Sequence, residues 1–169
     1  MLGAVTDPTP QLRPPRHQVS RSAIRYWTVH AALRWAVVLV GAGMLAASTQ
    51  VGATAEVAGL ITLAVVAVAH TIVMPRWRYA VHRWETTPEA VYTQAGWFTQ
   101  ERRIAPVSRI QTVDSERGPL EQLFELATVT VTTASAKGPL RIAGLDAATA
   151  ERLVDELTAV AQAAPGDAT

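Results

Sequence analysis

Two long apolar runs lie close together in the first half of this 169-residue chain, and the arginines that flank them all sit on their outer ends. Trp35–Ala55 carries no formal charge, Glu56 interrupts, and Val57–Pro75 is again free of Asp, Glu, Lys and Arg. About 20 such residues, at 1.5 Å each in a helix, reach across a hydrocarbon core roughly 30 Å thick. The runs therefore predict a transmembrane hairpin over about residues 27–75, with helices over about 28–49 and 56–75. That pattern constrains the fold more than any other, because it dictates the solvent in which the first half must fold.

Charge placement predicts an orientation. Arg13, Arg16, Arg21, Arg25 and Arg34 precede the first run, Arg76, Arg78 and Arg83 follow the second, and Thr49–Glu56 between them holds no Lys or Arg. Short-loop arginines are retained on the cytoplasmic side, which puts both chain ends inside and the connecting loop outside, in a multi-pass protein of the cell membrane. Trp35 and Trp77 are expected at the inner interface, where an amphipathic indole suits the headgroup level. The formal net charge of +1 conceals this asymmetry: residues 1–34 carry five arginines against Asp7, whereas residues 76–169 carry ten Lys+Arg against twelve Asp+Glu. A cleavable signal peptide is the competing reading, with Ala46-Ala47-Ser48 as its cleavage site. The long lead and the second apolar run weigh against it.

Within the runs, Ala42 and Ala46, and Gly43 and Ala47, are small residues four apart, a spacing that lets helices approach closely in lipid. Packing of the two helices on each other accounts for them, with dimerisation as the alternative. His70 is an ionisable group in a span and thus a candidate for proton or metal chemistry, but no second His, Asp or Glu stands at helical spacing inside the span. Glu56 suits the loop or the start of the second helix.

After Pro75 the texture changes. Candidate strands are Tyr79–Glu85, Ala90–Gln94, Trp97–Ala105, Ile110–Ser115, Leu126–Thr133 and Leu140–Ile142, separated by turn signals such as Ala95-Gly96 and Lys137-Gly138-Pro139. In Trp97–Ala105 neither parity is cleanly apolar, which predicts a bulge or twist there. Gly118-Pro119-Leu120-Glu121 reads as a short helix start. Asp146 is placed to cap a final helix whose Ala150, Leu153, Val154, Leu157 and Val160 share one face, ending by Pro165-Gly166. The chain divides into a basic segment 1–26, the hairpin 27–75, a domain 76–163 and a disordered tail 164–169.

Taken in order, Trp77-Arg78-Tyr79, Arg83-Trp84-Glu85, Gly96-Trp97-Phe98, Pro106-Val107-Ser108-Arg109-Ile110-Gln111-Thr112-Val113, Gly118-Pro119-Leu120-Glu121, Leu126-Ala127-Thr128 and Gly144-Leu145 resemble the YdbS-like bacterial pleckstrin-homology (PH) domain family over roughly residues 20–160. Glu125 departs from the pattern, in which a glycine often precedes Leu-Ala-Thr. The resemblance implies an α+β membrane protein: a two-helix transmembrane hairpin followed by a PH-like bent antiparallel sheet or barrel, capped by a C-terminal helix. It implies a domain tethered near the inner leaflet and a larger membrane protein with several such domains as a partner. It implies no reaction.

The residues agree that chemistry is not expected. There is no cysteine. His17, His30, His70 and His82 have no metal-ligand spacing, and no glycine-rich phosphate loop or Gly-x-Ser-x-Gly turn occurs, so neither enzyme activity nor a cofactor or metal is expected. Arg102, Arg103, Arg109 and Arg117 are expected as contacts for anionic lipid or an acidic partner, or as ordinary surface ion pairs. Arg76, Arg78 and Arg83 are the better headgroup candidates. The net negative charge of residues 76–169 argues against broad membrane or nucleic-acid binding by that domain. Three functions follow as expectations: a module for protein-partner binding or scaffolding, including self-association; a sensor of anionic lipid headgroups; and a small-molecule or proton-linked function involving His70.

Overall fold

The computed structural model describes residues 14–48, 52–96, 99–134 and 138–163. Its first half is a hairpin of two helices, α1 (Ser22–Ser48) and α2 (Ala53–Val81). Both are long and apolar enough to cross a membrane, and little of either is buried within the molecule. At 1.5 Å per residue α1 is roughly 40 Å long, about two turns more than a bilayer core requires. The excess is used at its N-terminal end, where Ala23, Trp27 and Ala31 are buried at intervals of four residues. Glu56 lies in the first turn of α2, where its charge complements the helix dipole.

The second half is built from two antiparallel sheets. One has the order β1–β2–β3–β4, with β1 at His17–Gln18, β2 at Arg83–Thr86, β3 at Ala90–Ala95 and β4 at Glu101–Pro106. The other has the order β5–β6–β7, with β5 at Ile110–Glu116, β6 at Leu126–Thr133 and β7 at Leu140–Asp146. A short helix α3 (Pro119–Leu123) joins β5 to β6, and α4 (Ala147–Ala163) follows β7. Val91 and Ala105 from the first sheet meet Val129, Val131, Ile142 and Leu145 from the second, and Ala150, Leu153 and Leu157 of α4 close the same core. Asp146 Oδ1 accepts from the Thr149 amide at 2.9 Å, the expected cap.

Strand β1 precedes the hairpin and pairs with β2 after it, His17 opposite Trp84 and Gln18 opposite Arg83. The segment expected as a separate basic arm is thus an edge of the domain. Arg16 fixes it further: its amide donates to Glu85 Oε2 at 3.2 Å and its guanidinium pairs with Glu85 Oε1 at 3.5 Å. The hairpin is an insertion between the first two strands of one sheet, which brings the start of the described chain and the domain to the same end of the hairpin.

Several elements differ from the sequence expectation. Tyr79–Val81 is the last turn of α2 and not a strand, because α2 runs through Pro75. Proline removes one helical hydrogen bond, but Pro75 is buried and Arg76 Nη1 donates to the Ile72 carbonyl at 2.7 Å within the perturbed turn. The expected irregularity before Ala105 is absent from β4, whose register with β3 is unbroken from Ala90–Pro106 to Ala95–Glu101. The register shifts lie between Ile110 and Thr112, and between Ala127 and Val129. Trp97, Phe98, Lys137, Arg13 and the tail 164–169 lie outside the described residues.

Two backbone positions give tests. Gly144 has φ +82°, and a Cβ there would stand 3.0 Å from Ala23 Cβ and 3.4 Å from Trp27. Gly138 has a similar φ of +74° with open space around it. Gly138→Ala is expected to cost about 1 kcal/mol through φ alone, and Gly144→Ala about 2–3 kcal/mol because α1 must also shift. Thermal unfolding of the purified protein in detergent orders the two, and equal losses would refute the close approach. Glu125 has φ +55°, which explains why a glycine suits this place. Glu125→Gly is expected to stabilise by about 0.5–1 kcal/mol in the same measurement; a lower melting temperature would count against the strained turn.

Candidate functional site: a cationic cleft at the hairpin base

The antiparallel hairpin brings residues into register one turn at a time. Trp35 Nε1 donates to His70 Nδ1 at 3.1 Å, with the rings 5.8 Å apart and nearly perpendicular. One turn nearer the domain, Ala31 and Met74 are buried. A further turn on, the Arg78 guanidinium lies 4.3 Å from the centroid of the Trp27 ring, and His82 stands 5.5 Å from the same indole. Helical spacing of four residues on each strand of the hairpin generates this ladder.

The ladder changes the role of Trp35. It is turned toward His70 and half-buried, whereas Trp77 is 54% exposed. Trp77 follows His70 by seven residues, so Trp35 lies about 10 Å deeper along the hairpin axis than Trp77. The two rings therefore stand at different heights along the hairpin. His70, expected as a candidate for proton or metal chemistry, is the hydrogen-bond acceptor that joins the two helices. Among the described residues no group of three or more His, Cys, Asp or Glu gathers to hold a metal.

Between the hairpin base and the open ends of the sheets lies a cleft of about 520 Å³, lined among others by Tyr26, His30, Arg34, Arg78, Arg141 and Glu121. Among the described residues Glu121 is the one carboxylate of its lining, and both its oxygens are engaged: Oε2 accepts from the Gly118 amide at 2.8 Å and Oε1 from the Thr128 hydroxyl at 2.8 Å. Arg141 faces Glu116 at 3.5 Å on the rim. Arg34 Nε makes a 3.4 Å contact with the His30 carbonyl in its own helix. Arg78 has the Trp27 face and, among the described residues, no carboxylate within ion-pair distance. The cleft is a cationic pocket with little internal compensation.

The strand arginines do not make one patch. Arg102 Nε donates to Gln94 Oε1 at 3.1 Å. Arg103 is half-buried, donates to the Pro139 carbonyl at 2.6 Å and the Gly138 carbonyl at 2.8 Å, and approaches Glu101 at 3.6 Å, so it ties β4 to the turn before β7. Arg117 Nε donates to the Leu126 carbonyl at 3.2 Å. Arg109 is exposed in the single helical turn Val107–Arg109. Arg109 and Arg117 flank β5, which holds them roughly 25 Å apart. Arg76 is exposed on α2, and Arg83 is half-buried on β2. Of the seven arginines singled out from the sequence, only Arg78 enters the cleft. Arg34, Tyr26, His30 and Arg141 were not foreseen there; the spacing Trp27–Ala31–Trp35 against His70–Met74–Arg78–His82 is the signal that pairs the helices.

His82, at the domain end of the ladder, is 6% exposed, and its Nδ1 has no hydrogen-bond partner among the described residues. Burial, with the nearby Arg78 charge second, pushes its imidazole down to about 4. The unfolded chain takes up this proton near pH 6.5 and the folded chain only near 4, so between these values the unfolded state binds more protons. Stability is therefore expected to fall as pH drops from 6.5 to 4, by at most about 1.4 kcal/mol per unit from this group. His82→Leu should flatten that part of the pH–stability curve; an unchanged slope would show that His82 titrates normally.

The sequence profile of the family described as "Bacterial PH domain" matches residues 33–161. The chain is similar to the "UPF0699 transmembrane protein YdbS" of Bacillus subtilis (strain 168), with 28% identity over 164 residues, covering 90% of this chain and 97% of that protein. No solved structure matches it significantly. The profile spans the later part of α1, all of α2 and the strands from β2 onward. Two apolar helices and a PH-like pair of sheets closed by α4 therefore identify the chain as a membrane protein of the bacterial PH domain family.

Proposed function

We propose that the chain is a non-catalytic membrane anchor that crosses the bilayer twice, keeps both ends in the cytoplasm, and presents its PH-like domain to a protein partner in the same membrane. The observation that carries this reading is the way hairpin and domain are joined. A flexible tether would let a domain explore the leaflet. Here α1 runs without a break from the domain core into its apolar span, and β1 stitches the preceding chain to β2. The PH-like surface is thereby held at one height and one orientation, which suits a module that docks on another fixed membrane protein.

Orientation is supported by arginines at the domain end of both helices and by a connecting segment without Lys or Arg. Outside the apolar spans, Leu123 on α3 is 72% exposed and Ile104 on β4 is 47% exposed. They are the large aliphatic side chains that the domain leaves to solvent among its described residues, and they are the proposed contact points. A larger membrane protein with several PH domains fits the partner role, and a second copy of this chain is the competing occupant.

The test is photocrosslinking of the full chain in native membranes, with the crosslinker placed at Leu123 or at Ile104. A discrete adduct of reproducible size is expected from at least one position, weakened at least about fivefold by an aspartate at the other. Absence of any discrete adduct from both positions would overturn the docking role, and an adduct of twice the chain mass would replace the larger partner by self-association.

A further inference from the structure

The cationic cleft does not end at the domain. A second cavity, of about 370 Å³, lies along the hairpin and shares Arg34, Met74 and Arg78 with the first. Its remaining lining includes Ala31, Trp35, Val38 and His70. The two together form a groove whose chemistry changes along its length: arginines where it meets the domain, and mainly apolar side chains where it follows the helices.

The position of that change along the helix axes matters. On α2 the uncharged run ends at Pro75, and Arg78 stands one turn beyond it. On α1 the run begins at Trp35, directly after Arg34. Where two apolar helices emerge from hydrocarbon, a bilayer presents its phosphates. The Arg78 guanidinium lies over the Trp27 ring, 4.3 Å from its centroid, a contact that leaves its N–H donors for the bidentate hydrogen bonding that suits a phosphate. The acidic side chain that lines the cleft among the described residues, Glu121, is already satisfied by two donors. A partly buried cation without a carboxylate is costly unless an anion completes it.

We propose that this groove is a binding site for one anionic glycerophospholipid, its phosphate between Arg34 and Arg78 and the start of an acyl chain along Ala31, Trp35 and Val38. The apolar continuation distinguishes this occupant from a free phosphate, which would use only the arginine end. The site differs from the strand arginines expected from the sequence, because Arg102, Arg103 and Arg117 spend their donors on protein acceptors. The lipid is a fixed structural ligand that fills the junction between hairpin and domain. The inference rests on the hairpin crossing the membrane, as proposed above, and not on a protein partner.

The experiment is native mass spectrometry of the full chain in mild detergent, titrated with phosphatidylglycerol or with phosphatidylcholine. Wild type is expected to retain phosphatidylglycerol about tenfold more strongly. Arg34→Gln should remove most of that preference. Arg78→Lys, which keeps the charge but not the bidentate guanidinium fork, should weaken it by a smaller factor. Arg152→Gln on α4 should leave it intact. Equal retention of the two lipids, or a wild-type preference in Arg34→Gln, would overturn the site. Displacement of phosphatidylglycerol by millimolar inorganic phosphate would overturn the lipid and leave a simple anion site. Capture of an acidic protein segment that depends on Arg34, with no lipid retained, would overturn it as well. Loss of lipid preference with the Leu123 and Ile104 adducts unchanged would refute this inference alone; loss of the adducts with lipid preference unchanged would refute only the partner reading.

Discussion

The structure depends on the burial of Trp27. Its indole, 3% exposed, sits where α1 leaves the hairpin and enters the domain. Leu126 of β6 shares its cluster, Gly144 of β7 leaves room for it, Arg78 lies over its face and His82 packs nearby. Removing 150–250 Å² of aromatic surface from water is worth about 4–6 kcal/mol as an upper figure. The pairing of a two-residue strand such as β1 contributes much less. Trp27 is thus the main reason that helix and domain form one body, while β1 and the Arg16–Glu85 contact fix the angle at which the chain arrives.

That single anchoring explains several features that look unrelated in the sequence. Residue 144 must lack a side chain because α1 passes against it, and Ala23 is small for the same reason. His82 is held neutral because the junction that buries Trp27 also buries it beside a permanent cation. Arg78 tolerates partial burial because the indole face receives its charge, an interaction of about 0.5–2 kcal/mol that does not consume its N–H donors. The junction is consequently stable as a fold while its cationic side is left without a carboxylate partner for Arg78 among the described residues, which is the observation behind the proposed lipid site.

The expectations drawn from residue pattern succeeded where local periodicity dominates. β6 has the bounds of the alternating Val129 and Val131 pattern, and α4 buries Ala150, Leu153 and Leu157 after the Asp146 cap. They failed where a long-range contact overrode a local rule. Pro75 reads as the end of a helix, yet α2 continues because its next turn packs on the domain. The arginines at 102, 103, 109 and 117 are near in sequence, but β4 and β5 belong to different sheets, and most of these side chains are spent on nearby acceptors. Trp35 and Trp77 look equivalent at the outer ends of the two apolar runs, although helix register sets them at different heights along the hairpin.

The sequence by itself determined the solvent and the connectivity. Two uncharged runs of bilayer length, arginines outside both, and an alternating second half followed by an amphipathic helix leave a membrane hairpin joined to an antiparallel α+β domain. Those properties are local or nearest-neighbour in origin, so they are written in composition and period. Only the tertiary structure decided which of the fifteen basic residues stand together. Arg34 and Arg78 are far apart in the chain and meet because α1 and α2 are antiparallel and Trp27 locks their base to the sheets. Register between helices is set by packing across the whole hairpin, a sum over contacts that no short window of sequence contains.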